Sequence, residues 1–221
     1  MARRQTKTSR FSAPSKRTQV VWGCFVGAIT LVGGLLALSD HKAQPGFLAT
    51  SLSTYPERGI ADPIFQIAAP LDRTRWKSIV IHDLGAPAGD AESVHRRHVS
   101  FGYQGLGYHF LIGNGNGLGD GVVHAGYRWN DQLPGAHALG DAADWHNQHS
   151  ISICLIGNGD RRPFTDRQIA HLTNLVQRLQ RELNIPASSV YLHRDIAEGM
   201  TPAITSPGRY FPAAQLREQL N

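Results

Sequence analysis

The chain has 221 residues, a length that suits one domain with an appendage or at most two small domains. Its formal charge of +5 comes from 22 Lys and Arg against 17 Asp and Glu. Six of the basic residues lie within the first 17 positions, so from Asp40 onward 16 basic residues face 17 acidic ones, a balance of −1. The body of the chain therefore lacks the positive charge that binds nucleic acid, and DNA and RNA are excluded as expected partners.

An uncharged apolar segment, VVWGCFVGAITLVGGLLAL, occupies residues 20–38. A helix of that length crosses most of a hydrocarbon layer about 30 Å thick. The basic tail at 1–19 predicts a cytoplasmic N-terminus, which puts the rest of the chain on the periplasmic (extracytoplasmic) side of the cytoplasmic membrane. We expect a single-pass signal anchor. The alternative is a signal peptide cleaved near Ser39, which would release a secreted protein.

Residues 39–74 are predicted to form a linker, and residues 75–221 the folded domain. Four prolines interrupt the linker and disfavour a helix there. The two cysteines, Cys24 and Cys154, have neither the spacing of a zinc knuckle nor a plausible disulfide geometry, since one lies in the apolar segment and the other in the domain.

Five stretches of the domain have the β-branched and apolar composition of strands. They are SIVIHD (78–83), YHFLI (108–112), GVVHAG (121–126), HSISICLIG (149–157) and SVYLH (189–193). Two further stretches predict helices: 90–100, with Asp90 as N-cap, and 163–183, where Thr165 and Gln168 form a capping box. Strands that alternate with helices predict an α/β or α+β domain built on one central sheet.

Two of the predicted strands end in histidine, at His82 and at His193. Two such histidines can hold one metal ion if their strands are neighbours, and zinc is the expected metal. The alternative is that each is an ordinary surface or core residue. The chain has 11 histidines, so two of them can fall at strand ends without binding a metal.

Six motifs follow one another in the domain: IVIHD, H(x)8-GYHFLI, GAHA, N-x-x-SISICLIGN, HRD and SPG-x-x-FP. In this order they resemble the zinc-dependent N-acetylmuramoyl-L-alanine amidases, which share their fold with phage amidase lysozymes and the peptidoglycan recognition proteins. The resemblance covers residues 79–212.

This resemblance implies a central mixed β-sheet flanked by helices, with zinc in a cleft. The implied activity is hydrolysis of the bond between N-acetylmuramic acid and the L-alanine of the stem peptide in peptidoglycan or muropeptides. His82 and His193 match two zinc ligands of the family. Tyr108 matches a catalytic tyrosine that orients water or stabilises the tetrahedral intermediate. His137 and Asn147 match a substrate-binding region.

Two positions depart from the family pattern. The third zinc ligand, a Cys or Asp in the family, is Ser206, and a Lys of many members is replaced by Ile204. A serine hydroxyl keeps its proton near neutral pH and is a poor ligand, so zinc is expected to bind weakly. The alternative function is therefore a non-catalytic peptidoglycan-binding module on the same fold. The oligomeric state stays open.

Overall fold

The computed structural model describes residues 63–220. Its strands are β1 (Ser78–Asp83), β2 (Phe110–Ile112), β3 (Val123–Ala125), β4 (Ser150–Leu155) and β5 (Val190–Leu192). Its helices are α1 (Ala91–Ser100), α2 (Tyr127–Asn130), α3 (Ala143–His149), α4 (Asp166–Leu183), α5 (His193–Ile196) and α6 (Ala213–Leu220). Short 3-10 turns cover Pro63–Phe65 and Ala187–Ser189.

The five strands form one mixed sheet in the order β3-β2-β4-β1-β5. β1 is parallel to both β4 and β5, β2 is parallel to β4, and only the β2–β3 pair is antiparallel. This confirms the predicted fold class of a central mixed sheet flanked by helices. Because β1 and β5 are parallel neighbours, their carboxyl ends meet at the same edge of the sheet.

One face of the sheet carries the main hydrophobic core. Alternate residues of β1 and β4, such as Ile79 and Ile153, are fully buried against the apolar stripe of α4, which includes Leu172 and Val176. Each such side chain contributes roughly 1.5–3 kcal/mol when it is buried. α6 packs on the outside of α4, where Thr173 Oγ1 donates to Gln219 Oε1 at 2.9 Å.

The opposite face of the sheet includes buried polar side chains, among them His82 and Ser152. Val80 packs there against Ala138 and Ile196. A second cluster on that side joins Cys154 to Val94 of α1. Since side chains alternate along a strand, His82 points to the same face as Val80.

The two predicted helices are confirmed together with their caps. Asp90 accepts from Ser93 N–H at 2.7 Å, and Thr165 accepts from Gln168 N–H at 3.0 Å. The observed strands lie inside their predicted stretches, but the prediction that β5 ends in His193 is wrong. β5 ends at Leu192, whose N–H donates to Asp195 Oδ2 at 3.2 Å, and this contact helps turn the chain into α5 at His193.

The segment that enters the domain packs on it. Ile64, Phe65 and Leu71 lie against the main core, and Trp129 Nε1 donates to the carbonyl of Ile64 at 2.5 Å. Within residues 63–220, no helix is long and apolar enough to span a membrane. The predicted transmembrane segment at 20–38 lies outside the described residues.

Candidate functional site

His82 and His193 lie ring to ring at the edge where β1 and β5 end. Their ring centroids are 4.3 Å apart and the rings are inclined by 43°. Both are buried, with 1% and 7% of their surface exposed. The parallel pairing of the two strands thus brings together the two histidines that the sequence singled out, although they are more than a hundred positions apart in the chain.

A third imidazole joins this pair. His82 Nε2 lies 3.1 Å from His137 Nδ1, which is hydrogen-bond distance, and the two ring centroids are 5.0 Å apart. His137 is only 8% exposed. The sequence predicted a substrate contact for His137, and the structure gives it an internal partner.

Asn147 holds the loop that carries His137. Its side-chain oxygen accepts from the backbone N–H groups of His137 at 2.8 Å and Ala138 at 3.0 Å, and its carbonyl accepts from Gly135 N–H at 2.7 Å. A Cβ on Gly135 would lie 2.4 Å from Cδ2 of His137, so any larger residue there would force that ring to shift. The side-chain oxygen of Asn147, which was predicted as a substrate contact, is therefore engaged in hydrogen bonds to backbone N–H groups.

Tyr108 is another ring neighbour of His82. Its ring centroid is 5.2 Å from that of His82 and 5.3 Å from that of His98. Burial raises the pKa of Tyr108 well above its ordinary value, and the neighbouring Cys154 adds to the shift. The hydroxyl is therefore protonated at neutral pH and can act as a hydrogen-bond donor.

Ser206 is tied to the end of β1. Its hydroxyl oxygen accepts from Asp83 N–H at 3.0 Å, and its carbonyl accepts from Arg194 N–H at 2.8 Å. The Asp83 carboxylate turns away and accepts from Gly159 N–H at 2.9 Å. The position that resembles the third zinc ligand is thus held beside His82 by backbone hydrogen bonds.

The histidines of this region are neutral at neutral pH. Burial lowers the pKa of His193 to about 4 and that of His109 to about 3. Burial, reinforced by the neighbouring imidazoles, also lowers the pKa values of His82 and His137 well below the ordinary range. Neutral imidazoles can coordinate a metal, but they bring no negative charge to it.

The donor set does not fit a zinc ion held by three protein ligands. Among residues 63–220, no group of three or more His, Cys, Asp or Glu side chains is arranged to hold a metal. Two neutral imidazoles and a serine hydroxyl lack the anionic third ligand that Cys or Asp supplies in the family. Nε2 of His137 and Nε2 of His193 are buried without a hydrogen-bond partner.

Several residues that shape this site were missed in the sequence. Gly135 fits beside His137, and Arg194 also donates from its guanidinium to the carbonyl of Gly208 at 3.0 Å. Gly159 packs against the loop after Ser206, since a Cβ there would lie 1.9 Å from the carbonyl oxygen of Pro207. Gly135 and Arg194 belong to the motifs GAHA and HRD, and Gly159 directly follows SISICLIGN, but a single sequence does not reveal which glycine or arginine makes a close contact.

Residues 72–209 match the family model described as N-acetylmuramoyl-L-alanine amidase. Peptidoglycan-recognition protein SC2 of Drosophila melanogaster is 34% identical over 104 residues, which are 47% of this chain and 50% of that protein. The endolysin of Enterobacteria phage T3 is 30% identical over 115 residues, 50% of this chain and 67% of that protein. The match thus spans half the length of this recognition protein.

Solved structures show the same fold. The N-acetylmuramoyl-L-alanine amidase LysC from Clostridium intestinale URNW gives a TM-score of 0.56 at 26% identity, covering 71% of this chain and 93% of that one. Bumblebee PGRP-SA gives a TM-score of 0.50 at 24% identity, covering 64% and 80%, a likeness of fold alone. Because the family model matches more than half of the residues, the chain belongs to the N-acetylmuramoyl-L-alanine amidase family.

Proposed function

We propose that the domain is a recognition module, which binds peptidoglycan or muropeptides through the stem peptide without hydrolysing them at a zinc centre. The observation that carries this proposal is the lack of charge on Ser206 and the hydrogen bond that its hydroxyl already makes. Its side chain brings no charge, and its hydroxyl oxygen already accepts the N–H of Asp83 at 3.0 Å. The two family histidines are left without an anionic partner.

The ligand class rests on the family and on the names of the relatives. The family model is that of enzymes acting on N-acetylmuramoyl-L-alanine, and the Drosophila relative is a peptidoglycan-recognition protein. A human protein with a TM-score of 0.50, alike at the level of fold, was solved in complex with glycosamyl muramyl pentapeptide. Peptidoglycan fragments are therefore the ligands to test first.

Exposed aromatic side chains beside the histidines supply a contact surface. Phe101 and Tyr103, after α1, are 63% and 41% exposed. Tyr103 packs edge-on against His98 with centroids 5.6 Å apart, and His98 in turn contacts Tyr108. A row of rings thus leads from the surface to His82, and exposed aromatic rings suit contacts with both sugars and peptides.

The test is co-sedimentation of the full chain, solubilised in detergent, with purified sacculi. Tyr103→Ala should weaken binding about tenfold, equivalent to ~1.4 kcal/mol, as for the loss of one aromatic anchor. Val122→Ala removes a side chain that is also exposed, at 49%, and should bind like the unaltered protein. Failure of the unaltered chain to sediment with sacculi would refute the proposal.

The second candidate function is hydrolysis of the bond between N-acetylmuramic acid and L-alanine. Tyr108, His82 and His193 favour it, since the ring centroid of His82 lies 5.2 Å from that of Tyr108 and 4.3 Å from that of His193. Zinc, which this activity uses in the family, would need a third ligand that the described residues do not provide. Release of stem peptides from a defined muropeptide, together with zinc in the purified protein, would establish this alternative.

The cellular position is a further part of the proposal. We infer from the apolar segment 20–38 and the basic tail before it that the domain faces the periplasm from the cytoplasmic membrane. Cleavage near Ser39 would instead release it. Immunoblotting of membrane and soluble fractions, with a protease-accessibility assay on spheroplasts, separates an anchored, outward-facing domain from a secreted or cytoplasmic one.

A further inference from the structure

A cavity of about 350 Å³ lies beside β5, on the same face of the sheet as His82. Tyr191 of β5 is paired with Val80 of β1, so their two side chains point to one face. Neither His82 nor His193 lines the cavity, which is therefore separate from the histidine pair. The polar and aromatic side chains on its walls are those of Asp141, Trp145, His146, Tyr191, Asp195 and Glu198.

The indole of Trp145 forms an exposed part of this wall. Its side chain is 47% exposed, whereas Trp76 and Trp129 are buried, with 1% and 0% exposed. The ring centroid of Trp145 lies 4.9 Å from that of His146, and the centroid of His146 lies 5.8 Å from that of Tyr191. One wall of the cavity is therefore aromatic, and tryptophan is the side chain whose ring face attracts cations most strongly.

Two carboxylates of the cavity have no cationic partner. Asp141 and Glu198 are exposed, and neither forms an ion pair in the part of the chain that the structure describes. A Cβ on Gly199 would lie 3.6 Å from Oδ2 of Asp141, so this carboxylate lies beside the loop that carries Glu198. Asp195 differs, since its carboxylate lies 3.7 Å from Nη2 of Arg217. The cavity thus carries two negative charges that no described Lys or Arg side chain neutralises.

His146 contributes an unpaired nitrogen to the same cavity. Its side chain is only 8% exposed, and its Nδ1 lies 2.8 Å from Oγ of Ser150 in β4. Nε2, on the far side of the ring, has no hydrogen-bond partner among residues 63–220. Buried polar groups are nearly always paired, so this nitrogen on a cavity wall indicates a partner that the cavity supplies.

The chemistry of the walls selects one class of ligand. The carboxylates repel anions. Within residues 63–220, no group of three or more His, Cys, Asp or Glu side chains converges on a metal ion, so a bare divalent cation is not matched. An alkylammonium group is matched, because both carboxylates and the indole face attract its charge. Its N–H groups find acceptors in the carboxylates, and its alkyl chain can pack on the aromatic wall.

We propose that this cavity is a docking site for a lysine side chain of a partner protein. The groups that recognise the charge, Asp141, Glu198 and Trp145, are all exposed, whereas a site for a free small molecule buries most of its ligand. A cation that stays attached to a larger partner needs only its side chain to enter. This site goes beyond the proposed function, because it involves neither peptidoglycan nor the histidine pair.

The test follows the indole N–H signal of Trp145 by NMR in the 15N-labelled full chain, held in uncharged detergent micelles. Trp145→Phe identifies this signal by its loss. Nα-acetyl-lysine methylamide should shift the signal until it saturates. The derivative that is also acetylated on Nε has the same stem without the charge and should not shift it.

Two variants remove one charge each and keep the shape of the side chain. Asp141→Asn and Glu198→Gln should each weaken binding of the lysine derivative about fivefold, as for the loss of one exposed ion pair. The matched control is Glu218→Gln, which removes another exposed carboxylate, on α6 and outside the cavity. This variant should bind as the unaltered protein does.

Three results would overturn the inference. The first is no saturable shift with the charged derivative, or an equal shift with the neutral one. The second is an affinity that neither Asp141→Asn nor Glu198→Gln lowers more than Glu218→Gln does. The third uses cadaverine, a free diamine: binding more than tenfold tighter than that of the lysine derivative would assign the cavity to a free polyamine instead of a partner protein.

Discussion

Ser206 accepts a hydrogen bond from the backbone N–H of Asp83 at 3.0 Å, directly after His82 in β1. The side chain at the position of the third zinc ligand is therefore engaged in a hydrogen bond to the backbone at the end of β1. Serine replaces the Cys or Asp of the family at this position, and this contact shows what the replacing side chain does in the site. It also makes Ser206 the most informative residue to change.

Replacing Ser206 with cysteine should create a metal-binding site. A thiolate adds the negative charge that the two histidines lack, so we expect zinc affinity to rise tenfold or more, ~1.4 kcal/mol at least. Zinc content after dialysis against a chelator-buffered zinc series measures this. Ser206→Ala is the matched control and should gain nothing. Equal zinc content in the unaltered protein and the cysteine variant would contradict the prediction.

Ser206→Ala should destabilise the domain. It leaves the N–H of Asp83 without its acceptor, and for this part-buried hydrogen bond we expect a cost of about 1 kcal/mol. Thermal unfolding followed by circular dichroism should show a lower midpoint. Ser188→Ala removes a hydroxyl from an exposed serine and should leave the midpoint unchanged. Equal midpoints for the two variants would mean that the contact with Asp83 contributes nothing.

Gly135→Ala should disturb the packing of His137 against His82 without changing either histidine. The new Cβ would lie 2.4 Å from Cδ2 of His137, so the ring must shift, and we expect its bond to His82 to weaken. We expect a loss of about 1–3 kcal/mol in the free energy of unfolding, as for overpacked cores. Gly119→Ala, which meets Val122 Cγ2 at 2.9 Å on an exposed side chain, should cost much less. Similar losses in both variants would show that the ring of His137 tolerates the change.

Acid should destabilise the domain. The pKa of His193 falls from 6.5 to about 4 on folding because the ring is buried. Between these two values the unfolded chain binds more protons than the folded one, so stability falls as the pH drops through that window. The loss from His193 is about 2–3 kcal/mol.

Urea unfolding at several pH values from 7 down to 4 measures this dependence. His193→Asn cannot titrate, so the variant should show a shallower fall over the same window. If the slope is the same in the variant and in the unaltered protein, His193 is not the group responsible.

The sequence predicted the parts of this fold that repeat a simple pattern. The β-branched stretch of β1 and the capping box at Thr165 and Gln168 have local causes, so both could be located. The sequence placed His82 and His193 at strand ends and expected them to meet only if the two strands were neighbours, and the pairing of β1 with β5 meets that condition. Short helices such as α3 and α5 carry too few turns to show a period, and they were missed.

The internal contacts of the site could not be predicted in the same way. The bond between His82 and His137 joins a strand to an irregular loop, 55 positions apart, and no periodicity reports such a pairing. The hydroxyl of Ser206 meets Asp83 across 123 positions. Sequence pattern identified Ser206 as an exception in the family, and only the structure shows what its side chain does.

The most direct test of the central claim measures binding and cleavage in one experiment. The full chain is incubated with purified sacculi in the presence of a chelator or of added zinc, and the bound protein and the released peptides are both quantified. We expect equal binding in the two conditions and no released stem peptide in either. Stem peptides that appear with zinc and vanish with the chelator would contradict it.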